Sequence, residues 1–521
     1  MPRFVRILLL FSIAVGALAD APTVTSALNL VTYSKNLCPG GLVAIFGTNF
    51  GSTASAVSIS VGGKPGYVQI ATPNQINAQI PFEVSPGATN LTVTVSGSTS
   101  APLLITLTAT APAFFTLDAS GNGTAVATTT GSSVAQLTSP APGKPGDTVS
   151  VYLAGLGATN PPTPTGLAPQ VAASPVATPT LTVGGKPATI VAAAVSPGFA
   201  GLYQVAFKIP DGVQGSAPLV LTSNGVTTSS VDPKNPVTLP VFGISSIVSN
   251  ASFGSAGTAV AGSIVSLFGN GFGTTSQTVG FPATTFQGVS VTFNGTPAPL
   301  FHLTVSPPTA TSAGQAQIDL LVPFELPATG AAQVAVKTAA TTGPNYALTL
   351  AAGSPGIYNI ADPGTKGRFN ILAQFNATAW LNMPASMATA LKIAGNCAAN
   401  NISPLSLCGQ PANPGDYLVL YVTGLGLATP NGDPNGKPLT TGNVPPADGS
   451  VLYKTVATPT IKIGGFPITP VFSGMAPGFA GLYQVDFQVP TGVTGDDVPL
   501  ELSISGSASD TRTMSIQSKA Q

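Results

Sequence analysis

Gly262-Ser263-Ile264-Val265-Ser266-Leu267-Phe268-Gly269-Asn270-Gly271-Phe272-Gly273 contains the pattern on which the whole chain is built, a glycine-led apolar strand ending in Gly-x-Gly. The same kind of strand begins at Gly41, Gly146 and Gly415. Each is followed by a hairpin dipeptide, Gly62-Gly63, Gly184-Gly185, Asn294-Gly295 or Gly464-Gly465. Then comes an apolar-Pro step, Ile80-Pro81, Ile209-Pro210, Val322-Pro323 or Val489-Pro490. Gly-Gly and Asn-Gly suit two-residue turns whose central residues need positive φ. Around them, segments 57–61, 91–95, 289–293 and 461–463 alternate apolar residues with mostly small polar ones. That period of two marks strands with one face buried and one wet, as in an antiparallel sandwich. The fold expected is all-β, a tandem array of four Ig-like β-sandwich units. Helical periodicity is confined to one short candidate, residues 385–394.

The four units form two duplicated pairs. The first and third share Phe46-Gly47-Thr48-Asn49-Phe50-Gly51 with Phe268-Gly269-Asn270-Gly271-Phe272-Gly273, and Ile80-Pro81-Phe82-Glu83 with Val322-Pro323-Phe324-Glu325. The second and fourth share Gly155-Leu156-Gly157 with Gly424-Leu425-Gly426, and an identical block, Pro197-Gly198-Phe199-Ala200-Gly201-Leu202-Tyr203-Gln204-Val205, repeated at residues 477–485. Phe199, Tyr203, Phe479 and Tyr483, recurring at matched places, are expected in the cores, with Gly201 and Gly481 permitting close approach. The boundaries expected are a leader over 1–19 and units over 20–111, 112–241, 242–352 and 353–521. Spacing between matched residues grows in the second copy, most of all between Pro323 and Tyr421. That insertion holds Trp380, Cys397 and Cys408 and is expected to be a loop excursion, the kind of feature where binding concentrates on a rigid scaffold.

The strings Gly-Ser-Ile-Val-Ser-Leu-Phe-Gly-x-Gly-Phe-Gly from Gly262, Pro-Gly-Asp-x-x-x-x-Tyr-x-x-Gly-Leu-Gly from Pro414, and Ala-Pro-Gly-Phe-Ala-Gly-Leu-Tyr-Gln-Val from Ala476 resemble an uncharacterised exported domain of Acidobacteria of the Solibacter type, often C-terminal in larger secreted proteins. Its glycine-rich strands are similar to IPT/TIG immunoglobulin-like domains. Two copies cover nearly all of the chain after the leader, roughly residues 24–241 and 242–518. The resemblance implies an Ig-like sandwich and export. It implies no activity, since the family has no established catalytic residues to carry over.

Composition fits an extracellular β protein: 7% of the 521 residues are charged, while Gly (59) and Pro (50) are abundant. Arg3 and Arg6 form a positive n-region, residues 7–15 an apolar run, and Ala17-Leu18-Ala19 a small-residue cleavage site before Asp20. The alternative is an N-terminal anchor, but the apolar run is shorter than the ~20 residues a bilayer span needs. Secretion or surface display is expected, with a periplasmic destination also open. Seventeen basic and seventeen acidic residues cancel without a basic stripe, so nucleic acid is not an expected partner. Polysaccharide and cell-envelope or extracellular protein are.

Reactive constellations are sparse. A nucleophilic triad needs a base beside the nucleophile, and the one histidine, His302, sits in a strand-like setting. No cofactor is expected. Asp147 and Asp416 follow Pro-Gly and are expected to bond their own turns. The stretches Asn431 to Gly436 and Asp118 to Gly123 imitate calcium loops but lack the twelfth-position Glu, leaving turn and calcium readings both open. Cys397 and Cys408 are expected to pair, closing a short loop. They lack the further Cys or His that zinc would need. Cys38 reads as a small buried side chain, with an intermolecular bond as the alternative. Trp380 is the candidate for ring stacking or for anchoring a partner, the alternative being a plug that holds the insertion to its domain. The function expected is a non-enzymatic exported adhesion, matrix or binding protein. The alternatives are an accessory scaffold and a hydrolase using a carboxylate pair.

Overall fold

The structure, a computed structural model, describes residues 21–517 apart from 52, 132, 170, 360–370, 376–377 and 394–407. The expected leader and Cys397 therefore lie outside the described residues. The chain is all-β and folds as four Ig-like units in two duplicated pairs.

Units one and three are built on one plan. In the first, a sheet ordered Thr23–Asn29, Leu42–Thr48, Gln75–Gln79, Tyr67–Ala71 faces a second sheet around Val57–Val61, Gly87–Val95 and Leu103–Leu107. In the third, Gly243–Ser249, Ile264–Asn270, Gln315–Leu321 and Leu300–Ser306 take the same order, opposite Val289–Phe293, Gly330–Lys337 and Tyr346–Leu350. Strand registers coincide: Leu42 pairs with Gln79 and Ala44 with Asn77, as Ile264 pairs with Leu321 and Ser266 with Asp319. These pairings fix which residues of the two copies are equivalent. The hairpins take the expected backbone, with φ of 57° and 77° at Gly62-Gly63 and 48° and 84° at Asn294-Gly295.

Units two and four match in the same way, Tyr152 facing Gln204 and Tyr421 facing Gln484. They differ in how the chain passes between layers. In unit two the single strand Lys186–Val195 pairs first with Thr180–Val183 and then with Tyr203–Lys208, so the layers are joined. In unit four the equivalent stretch is split into Phe466–Ile468 and Phe472–Met475.

Each unit closes on its own apolar cluster, exemplified by Val43, Ile45 and Ile76 in the first, and Leu418, Tyr483 and Phe487 in the fourth. At about 1.5–3 kcal/mol for each fully buried aliphatic or Phe side chain, such clusters are what hold each sandwich closed. The insertion in unit four is more than a loop. Strands Ile371–Phe375 and Thr378–Asn382 form a hairpin, and Gly409–Gln410 adds a third, parallel strand. The helix spans Ala385–Ala390, shorter than the 385–394 read from the sequence, and buries Met387 and Ala388 beside Met383. Among the described residues no helix is long and apolar enough to cross a membrane.

Candidate functional site: the inter-unit crevices

Within each pair, the Pro-Phe-Glu step of one unit grips a threonine of the next. Thr165 Oγ1 donates to Glu83 Oε2 at 2.6 Å and Phe82 N donates to Thr165 Oγ1 at 2.9 Å. In the second pair Thr441 N donates to Glu325 Oε1 at 2.7 Å, Thr441 Oγ1 donates to Oε2, and Phe324 N donates to Thr441 Oγ1 at 2.9 Å. Partial burial alone would raise both carboxyls. The threonine hydroxyl and backbone N–H outweigh it and hold both below the usual carboxylate range, with Lys64 adding to the effect at Glu83.

The identical nine-residue block supplies the opposite side of each junction. A Cβ on Gly201 (φ +77°) would stand 2.8 Å from Leu42 Cδ2, and one on Gly481 (φ +76°) 2.6 Å from Leu321 Cδ1. Glycine at these two places permits both the left-handed backbone and the contact between units. Tyr203 and Tyr483 are fully buried and donate to the carbonyls of Gly157 and Gly426, anchoring the block to the Gly-Leu-Gly turn. Phe199 and Phe479 depart from the core placement expected of them, being 61% and 59% exposed. The turn at Pro197-Gly198 breaks the strand alternation that Tyr203 obeys, so the phenylalanine leaves the sheet and stands over the crevice.

The first crevice is an apolar cavity of about 630 Å³, walled by Leu30, Leu42, Phe115, Val126, Leu202 and Phe199. Gln69, Thr128, Tyr152 and Ser196 bring the polar side-chain atoms, and none of its lining residues carries a charge. Gln69 Nε2 donates across it to Ala200 O at 3.4 Å. Its floor, Val31, Leu42, Ala113 and Ala154, is a small apolar cluster between the units. At the equivalent places the second crevice carries polar groups joined in a chain. Tyr358 Oη donates to Asn250 Oδ1 at 3.1 Å, Asn250 Nδ2 to Ser266 Oγ at 2.9 Å, and Ser266 Oγ to Asp319 Oδ1 at 2.7 Å.

The residues singled out from sequence lie elsewhere. Trp380 does not stand on an exposed loop. It belongs to strand Thr378–Asn382, is 5% exposed and packs in the core of unit four, which is the plug alternative. Cys408 is buried in the same core, while Cys397 lies outside the described residues. Cys38 is free and buried at the first junction, where desolvation pushes its thiol up to about 12, so it stays protonated and unreactive at neutral pH. His302 sits on a strand with Nδ1 3.1 Å from Thr278 Oγ1. Asp147 and Asp416 accept from Lys144 N and Asn413 N in their turns. Asp118 accepts from Ser120 N and Oγ, and Asp433 from Asn435 N. Among the described residues no three His, Cys, Asp or Glu side chains gather closely enough to hold a metal ion.

Residues 28–108 match the IPT/TIG domain. That match covers unit one and agrees with its two-sheet, Ig-like build. No curated protein matches the sequence. Among solved structures, the chain is similar to the plexin A4 extracellular region at 10% identity and a TM-score of 0.23, covering 98% of this chain and 31% of that one. The mixed-linkage glucan utilization locus protein SGBP-B of Bacteroides ovatus is 17% identical with a TM-score of 0.22, over 46% of this chain and 52% of that one. Invasin, a bacterial integrin-binding protein, is 13% identical with a TM-score of 0.14, over 86% and 82%. TM-scores this low carry no argument about function. The chain spans less than a third of the plexin A4 region's length.

Proposed function

We propose that this is a non-enzymatic, exported Ig-like binding protein, and that its first crevice receives apolar side chains of a cell-envelope or extracellular protein. The observation that carries the reading is the pairing of an exposed Phe199 with an uncharged, largely apolar cavity held open between two latched units. Exposed apolar surface of this kind is costly in water and marks places where another molecule completes the burial. The absence of charge from the lining selects against ionic ligands, which would lose hydration there without gaining a partner. Export is supported by the leader-like residues 1–19 and by the resemblance to exported Acidobacteria proteins. Unit boundaries at 111/112, 241/242 and 352/353 and the Cys397–Cys408 bridge belong to the same reading. The burial of Cys408 and the sequestered position of Cys38 support that pairing.

The test is binding of the purified chain to cell-envelope fractions with and without protease treatment. Wild type and Phe479→Ser are expected to bind in a protease-sensitive manner, and Phe199→Ser to lose most of that binding. Retention by Phe199→Ser, or binding indifferent to protease, would refute the assignment. The scaffold alternative predicts that neither substitution matters.

A further inference from the structure

A second duplicated feature lies away from the crevices. Tyr33 and Phe253 occupy equivalent turns: Tyr33 N donates to Asn29 O and Phe253 N to Ser249 O, both at 2.9 Å, where Asn29 pairs with Val43 and Ser249 with Val265. Both residues have left-handed backbones, with φ of 51° and 54°, and both are exposed, at 47% and 57%. Bulky side chains avoid this region of φ, which glycine or asparagine would occupy at lower cost. Burial repays only part of the strain, because about half of each residue stays exposed. The neighbouring residues differ between the copies, Thr32 and Ser34 against Ser252 and Gly254, yet each copy keeps an aromatic ring.

Each ring meets a second one on the adjacent strand. Tyr33 and Phe46 have centroids 6.4 Å apart, tilted by 39°, and Phe253 and Phe268 are 6.2 Å apart, tilted by 45°. Phe46 faces Gln75 across the sheet and Phe268 faces Gln317; each flanking amide donates along its own strand, to Asn77 Oδ1 at 2.8 Å and to Asp319 Oδ1 at 2.7 Å, and keeps its oxygen for a ligand hydroxyl. In unit three the platform runs into a cavity of about 360 Å³ lined by Phe268 together with Ser245, Ser246, Ser306, Asn270 and Gln315. Its lining residues bear hydroxyls and amides and no charge. Ionic groups stand off this lining: Asp319 Oδ1 accepts from Gln317 Nε2 at 2.7 Å beside Phe268, and the Asp510 carboxylate would stand 3.4 Å from a Cβ on Gly254.

We propose that the Tyr33–Phe46 and Phe253–Phe268 ring pairs are stacking platforms for a neutral polysaccharide, the second platform continuing into the hydroxyl-lined cavity between units two and three. Pyranose rings present flat C–H faces to aromatic rings and a rim of hydroxyls that pair with serine and amide groups. Backbone strain retained at an exposed residue is the mark of a site whose side chain serves a ligand rather than the fold. This inference is independent of the protein-binding role given to the first crevice.

The experiment measures retardation of the full chain in native gels containing soluble neutral polysaccharides (mixed-linkage glucan, xylan, starch) or an anionic one (pectate), alongside thermal unfolding. Tyr33→Gly with Phe253→Gly is expected to weaken binding to at least one neutral polysaccharide by about tenfold or more while leaving the melting temperature unchanged or higher, since glycine relieves the left-handed strain. Phe199→Ser is expected to bind these polysaccharides as wild type does. No retardation of wild type by any neutral polysaccharide, preference for pectate, undiminished binding by the double variant, or a lower melting temperature in the glycine variants would each overturn the proposal. The last of these would assign the rings to fold support.

Discussion

The two inter-unit junctions share their scaffold and invert their polarity. Both have the Glu-Thr latch, the glycine of the identical block and the buried tyrosine. At the latch side, the first junction carries Gln79, fully buried, which accepts from Gly166 N at 2.9 Å and donates to Gly40 O at 3.2 Å. The second has Leu321 there. Toward the crevice the assignment is reversed. Ala154 lies in an apolar cluster, while its equivalent Thr423 accepts from Ile264 N at 2.8 Å and donates to Gly481 O at 3.0 Å. Each junction thus has a polar tie and an apolar contact, on opposite sides. The lesson is that duplication kept the geometry of the joint while the interaction types exchanged places, leaving an apolar crevice in the first pair and a hydrogen-bonded one in the second.

Exchanging the residues is the most direct attack on that contrast. Leu321→Gln places an amide where an apolar contact existed and is expected to destabilise the chain by about 2–3 kcal/mol, against about 1–2 for Gln79→Leu, which strands Gly166 N–H and Gly40 C=O. Calorimetric unfolding of the full chain would read both, and equal small losses would mean the two sides are interchangeable. Thr423→Ala leaves one buried donor and one acceptor without partners, an expected cost of about 1–3 kcal/mol. An Ala154→Thr change in the first pair should destabilise by overpacking rather than stabilise. If Ala154→Thr instead raised the melting temperature, the apolar floor would not be a packing requirement.

Where the junctions are identical, the effects should be too. Tyr203→Phe and Tyr483→Phe each remove one buried hydroxyl bond and are expected to cost about 1–2 kcal/mol apiece. A difference above 1 kcal/mol, by the same calorimetry, would show that the copies use the block differently. The latches give the smallest effect. Glu83→Gln and Glu325→Gln are expected to cost less than about 1 kcal/mol, because the carboxylates are exposed. Their pH dependence has a definite sign. Both carboxyls titrate below their unfolded value, so their contribution is complete above that value and is lost as pH falls through the lowered folded one. Acid unfolding monitored from pH 5 downward should lose this dependence in the double Gln variant. An unchanged profile would remove the latches from the account.

Much of the fold was legible because it rests on local chemistry. Gly62-Gly63 and Asn294-Gly295 can take positive φ, and the alternation around them separates a buried face from a wet one whatever the neighbours are. The duplicated Pro-Phe-Glu step and the nine-residue block were visible as repetition, though not as two sides of one joint. Trp380 shows the limit. A unique Trp in an insertion reads as a binding candidate until the inserted hairpin is seen to turn it into the core. Phe199 failed in the other direction, since its repetition suggested packing while the turn before it points the ring outward. Tyr33 and Phe253 were not legible as a repeat, since their turns differ in sequence and they precede Phe46 and Phe268 by different spacings.

The amino-acid sequence alone determined that this chain is made of β-strands, hairpins and four repeated units, because turn conformation and burial periodicity are properties of a few adjacent residues. Only the tertiary structure decided that Glu83 meets Thr165, that Gly201 is spent on Leu42, and that the crevice between them is apolar in one copy and polar in the other. Those contacts join residues some tens to more than a hundred positions apart, and the side-chain surface each one meets is set by how two finished sandwiches dock.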